Sequence, residues 1–189
     1  MTKLIPAAAL LIGLLGACSS NAPETTKKNA ATDTFFSLAN FFDQEATRLD
    51  SLQPRLRKHV RMNEEEEEKI LENVDFGAEL ALFRGYDINR KSWVDKYQAD
   101  SVYLNGNLQR IDYQAREPDL TTQELHIEFD PTGKVAAITI VGQSATFLAS
   151  NNNWLHYTTN QGYTIKTEQK NRAAETVNIL IEGEFMAPE

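Results

Sequence analysis

Three histidines (His59, His126 and His156), twenty-seven acids and one cysteine, Cys18, are the side chains from which this 189-residue chain could build a metal site or a reaction centre. The histidines offer little to a metal. No pair of them has ligand spacing, and there is no His-Glu-x-x-His helix. Each falls in a stretch of strand periodicity, where alternation sends most such residues to a solvated face. The run Glu64 to Glu68 is rich in oxygen, but a calcium loop alternates its ligands and needs a glycine at its bend, and neither feature is present. No Gly-x-Ser-x-Gly elbow or glycine-rich phosphate cradle exists. Paired carboxylates for glycoside chemistry can be drawn from so many acids, and nothing singles one pair out. The expectation is a protein that is not an enzyme, with no metal and no cofactor.

Cys18 ends a distinctive stretch. Lys3 is the lone charge before Leu4 to Leu15, an apolar run with no charge in it, and Gly16 and Ala17 follow. This order is that of a secretion signal. The run is too short for a spanning helix, which takes about 20 apolar residues. Leu15-Gly16-Ala17-Cys18 resembles the lipobox of bacterial lipoproteins. The resemblance implies a diacylglycerol on the Cys18 thiol, cleavage before it, and acylation of the new amino terminus. More than one fatty chain is physically required, because each buried methylene contributes only about 0.8 kcal/mol and a single chain anchors marginally. The alternative is an ordinary signal peptide that leaves a free thiol. Ser19 and Ser20, with no aspartate after the cysteine, imply by the same resemblance an outer-membrane address, on the periplasmic face. Residues 1–17 are then the signal peptide, and 18–32 the lipidated cysteine and a polar tether without periodicity. Residues 33–189 form a single globular domain.

The net charge of −8 argues against nucleic acid as a partner, and against the domain lying flat on an anionic membrane. What remains after cleavage is long enough for one domain with its own core.

The elements that must hold any site are helices first and strands later. Phe35, Leu38, Phe42 and Leu49 make one apolar stripe over Phe35 to Leu49, with Thr32-Asp33-Thr34 offering caps. Leu56, Val60 and Met62 predict a strand, and with the glutamate run they predict a charged hairpin over Arg55 to Leu71 that turns near Asn63-Glu64. Asp75 can cap a helix Phe76 to Gly85, and Tyr86 to Tyr97 reads as a short helix carrying Trp93. From about Asp100 the period is two. Strands are expected at Ser101 to Leu104, Gln109 to Arg116, Thr122 to Phe129, Lys134 to Gly142, Ala145 to Ala149, Trp154 to Thr159, Tyr163 to Lys170 and Thr176 to Phe185. Turn residues such as Asn105-Gly106-Asn107 and Asn151-Asn152-Asn153 separate most of them. Val135 to Val141, apolar at nearly every position, is expected mid-sheet and buried on both sides. The fold class is therefore α+β, with N-terminal helices packed on one face of a curved antiparallel up-and-down β-sheet.

Phe35 to Leu49, Asp87-Ile88-Asn89-Arg90-Lys91-Ser92-Trp93 and Gly162-Tyr163-Thr164-Ile165-Lys166-Thr167-Glu168-Gln169 are similar to segments of small lipoproteins of Bacteroidetes-type envelopes. That resemblance implies the address and a periplasm-facing α+β domain, and it brings no activity with it. Two functional readings follow. In the first, an apolar ligand or lipid binds between helices and sheet, touched by Phe35, Phe42, Trp93, Tyr113, Phe129 and Trp154. In the second, the domain is a scaffold or interaction subunit of an envelope complex, using the charged hairpin and exposed sheet edges. Partners are the membrane, through the lipid anchor, and an apolar ligand or an envelope protein.

Overall fold

The structure is a computed structural model that describes residues 35–188. The expected signal peptide, Cys18, the expected tether and the Thr32-Asp33-Thr34 caps lie outside the described residues. The described part is α+β and mostly sheet. Its elements are α1 (Leu38–Leu52), β1 (Arg55–Met62), β2 (Glu65–Leu71), α2 (Phe76–Glu79), α3 (Ala81–Arg84), β3 (Tyr97–Leu104), β4 (Asn107–Ala115), β5 (Thr122–Phe129), β6 (Val135–Ala145), β7 (Ala149–Thr158), β8 (Gly162–Asn171) and β9 (Val177–Met186).

All nine strands join one open antiparallel sheet in the order β2-β1-β9-β8-β7-β6-β5-β4-β3. From β3 to β9 each strand pairs with the next, as short turns dictate. The β1–β2 hairpin is the exception, since β1 pairs with the last strand, β9, from Arg55 opposite Met186 to Met62 opposite Ile179.

α1 starts later than its apolar stripe suggests. Ser37 is its N-cap, accepting a hydrogen bond from the Asn40 N–H, so Phe35 and Phe36 precede the helix. Gln53 closes it in the left-handed conformation, and Pro54 prevents further turns. The expected helix Phe76 to Gly85 is broken at Leu80 into two single turns. The expected helix Tyr86 to Tyr97 is not formed: only Lys91–Trp93 makes a 3-10 turn, and Tyr97 opens β3. Asp87 and Asn89 account for this. Asp87 Oδ2 accepts from the Ala39 N–H (2.7 Å) and the Ser37 hydroxyl (3.2 Å), while Asn89 bonds the Phe35 N–H and the Phe35 and Phe36 carbonyls. The stretch is spent on holding the start of α1. The expected strand Ala145 to Ala149 is not formed either: Ala145 ends β6, Ala149 opens β7 and the turn between them is Thr146-Phe147-Leu148, while Asn151-Asn152-Asn153 is strand, paired with both Gln143 and Gln169 neighbourhoods.

One hydrophobic cluster unites Leu38, Phe42 and Leu49 of α1, Phe76 and Phe83 of α2 and α3, and Leu125, Ile127, Ile138, Ile140, Leu155, Tyr157 and Ile165 of the sheet. The strand residues alternate with more exposed ones, so one side of the sheet supplies the core. β6 lies next to the central strand as expected, but its burial is uneven: Ile138 and Ile140 are fully buried on the core side, while on its other side Ala137 is buried and Thr139 and Val141 are half-buried.

Candidate functional site

The other side of the sheet carries the chemistry. Strand register places Glu68, His59, Glu182, Thr164, His156, Thr139, His126, Asp112 and Asp100 directly opposite one another in sequence, one from every strand. All three histidines thus stand in a single polar row that crosses the sheet from edge to edge.

Each histidine is already engaged. His59 Nδ1 lies 3.2 Å from Glu182 and its Nε2 3.6 Å from Glu66. His126 Nδ1 is 2.6 Å from Asp112 and its Nε2 3.3 Å from Glu124. His156 meets the hydroxyls of Thr139 at 2.9 Å and Thr158 at 3.1 Å. Both ring nitrogens of His126 and His156 and the Nδ1 of His59 are within hydrogen-bond distance of a partner, and among the described residues no cluster of three or more His, Cys, Asp and Glu is arranged to hold a metal ion. Partial burial works against ionisation of Asp112. Hydrogen bonds from His126 and Arg110 outweigh it and hold that carboxyl below the ordinary range.

Two shallow grooves lie along this row. One, of about 490 Å³, is formed by Arg57, His59, Glu68, His156, Thr164 and Glu182 among others. The second, of about 580 Å³, includes Asp100, Arg110, Asp112, His126 and Thr139. In the rows on either side, two residues along each strand, stand Glu66, Glu124, Glu128 and Glu184 with Arg57, Arg61, Arg110 and Lys166. Carboxylates outnumber the cations on this side. Trp154 is its aromatic landmark: its ring lies 5.6 Å from that of His156 with planes 11° apart, and Lys166 Nζ sits 4.7 Å from its centre.

The six aromatic residues expected around an apolar ligand do not share one space. Phe42 is fully buried and packs against Phe83 (5.0 Å between ring centres) and Tyr157 (5.2 Å). Phe35 stands between Tyr113 at 5.5 Å and Tyr97 at 5.9 Å, and Trp93 reaches the same Tyr97 at 6.1 Å, so Tyr113, Phe35, Tyr97 and Trp93 form a chain of rings. Phe129 is partly buried against the core. Trp154 faces the polar side.

Strand alternation alone would place Thr139, Thr164 and Glu182 on a polar side. Only register reveals that they continue the histidine row. Comparison of the chain with family models, with curated proteins and with solved structures finds no match.

Proposed function

We propose that this chain is a non-catalytic lipoprotein, tethered by Cys18 to the periplasmic face of a bacterial outer membrane, whose domain serves as an interaction subunit of an envelope protein complex. The lipobox and the apolar run before it support the tether. We further read α1, α2 and α3 as a layer over the core side of a curved sheet, which the Phe42–Tyr157 and Phe83–Tyr157 contacts favour. That leaves the polar side open for a partner.

The observation that carries the reading is the nine-residue row with its grooves. A shallow, hydrogen-bonding strip with surplus carboxylate suits an extended protein segment bearing lysine or arginine, and suits a small apolar molecule poorly. The β1–β2 hairpin contributes Arg57, His59 and Glu68 to that strip. Apolar-ligand binding between helices and sheet is the second reading, and it is less favoured because the rings meeting there stand at ordinary packing distances.

A photoreactive residue at Thr164, in the full chain in its own cells, tests the proposal. One dominant protein adduct is expected, lost when Glu182→Lys and Glu68→Lys are combined. A diffuse smear of abundant envelope proteins, unchanged by those substitutions, overturns it. Solvent extraction of stoichiometric lipid other than the anchor from the purified protein would restore the second reading.

A further inference from the structure

The β6–β7 hairpin ends in Thr146-Phe147-Leu148-Ala149. Phe147 is 80% exposed and Leu148 69%, the two most exposed large apolar side chains among the described residues. Nothing in the turn requires them. The β1–β2, β3–β4, β5–β6 and β7–β8 turns use Asn63, Asn105-Gly106, Asp130 with Gly133, and Asn160, the ordinary turn residues. Here the backbone is held instead by Thr146, whose hydroxyl oxygen accepts from the Leu148 and Ala149 N–H groups at 3.3 and 3.1 Å. The Arg172 N–H buttresses the tip through the Leu148 carbonyl at 2.9 Å. The Arg172 guanidinium lies 4.5 Å from the centre of the Phe147 ring.

We propose that this tip is a membrane contact: Phe147 and Leu148 enter the interface of a lipid bilayer, and Arg172 pairs with lipid phosphate. Adjacent exposed apolar side chains on a firm turn, with a cation at their base, match the layering of an interface, where rings and aliphatic chains sit below the headgroups and arginine stays among them. The acidic remainder of the chain disfavours broad contact with an anionic surface, so a tip is the form such contact takes. The inference rests on the tethering reading, because two side chains alone partition marginally and a tether raises their effective concentration at the surface.

The test places a photoreactive phenylalanine analogue at position 147 of the full chain in its own membranes, with Tyr103 as the control position. Tyr103 is 63% exposed at the opposite end of the sheet. Lipid adducts are expected from 147 at about tenfold or more the level from 103, falling several-fold with Arg172→Glu. Protein adducts at 147, or equal lipid adducts at both positions, overturn the proposal. Recovery of an unacylated chain from the soluble fraction refutes the tether alone. The same photoreactive chain, with a polyhistidine segment in place of residues 1–17, is then held by nickel-chelating lipid on vesicles of phosphatidylethanolamine and phosphatidylglycerol, which supplies a tether. Lipid adducts at 147 uphold the tip, and their absence overturns it.

Discussion

Tyr157 and Tyr163 stand directly opposite one another on β7 and β8, and each gives its hydroxyl hydrogen to a glutamate on a different helix. Tyr157 donates to Glu45 of α1, which is also held by Arg48 at 2.6 Å; Tyr163 donates to Glu79 of α2, which is also held by Lys58 at 2.6 Å. Two ionisable groups that would be costly to bury alone are thereby satisfied. The pair ties two helices to adjacent strands at one place.

Tyr157→Phe should destabilise the fold by about 1–3 kcal/mol, since Glu45 keeps its burial and loses a donor. Denaturant midpoints measure this. Combining it with Glu45→Gln should give less than the sum of the two single losses, because both act on one bond.

Alkaline titration should unfold the protein late and cooperatively. Burial raises the phenols of Tyr157, Tyr163, Tyr86 and Tyr113, and pushes Tyr97 up to about 12. A folded-state value above the unfolded one stabilises fully below the unfolded value of about 10, and that contribution is lost as pH rises through the folded value. Followed in a Tyr103→Phe variant, tyrosinate absorbance from these five rings should therefore rise in step with loss of the fold. Gradual ionisation of these rings while the circular dichroism stays native would contradict the burial described.

Asp87→Ala removes the acceptor shared by the Ala39 N–H and the Ser37 hydroxyl at the start of α1. The expected cost is about 1–2 kcal/mol, as for loss of a helix cap. Hydrogen exchange at the Ala39 amide should accelerate more than exchange in the sheet.

Gly142→Ala and Gly133→Ala should both destabilise, for different reasons. A Cβ at Gly142 would overlap the Tyr86 ring, so a clash of about 1–3 kcal/mol is expected. Gly133 has open space around it but a φ of +81°, so only the backbone penalty of about 1 kcal/mol applies. Shrinking Tyr86 to Leu should recover part of the first loss and none of the second.

Much of the architecture was legible from local pattern. Alternation alone places β5 at Thr122 to Phe129, the bounds observed, and the stripe of Leu38, Phe42 and Leu49 marks the buried side of α1. Local pattern failed where distant partners decide the backbone. Asparagines at 151 to 153 have the chemistry of a turn, yet two flanking strands hold them extended. Trp93 and Tyr97 have helical spacing, yet Asp87 and Asn89 are committed to residues 35–39. The polar row was invisible for a related reason: parity along a strand predicts the side on which His126 lies, but only pairing between strands says that Thr139 and then His156 come next.

Joining of β1 to β9 gives the chain an order of events. Arg55 and Met186 are neighbours in space and nearly the full domain apart in sequence, so the entropy of that long closure must be met before the seam holds. A chain whose Val177–Met186 has yet to emerge leaves the glutamate-rich hairpin without the strand that joins it to the meander. The final strand is the keystone, and a chain shortened by it would keep a meander while losing its grip on its own beginning.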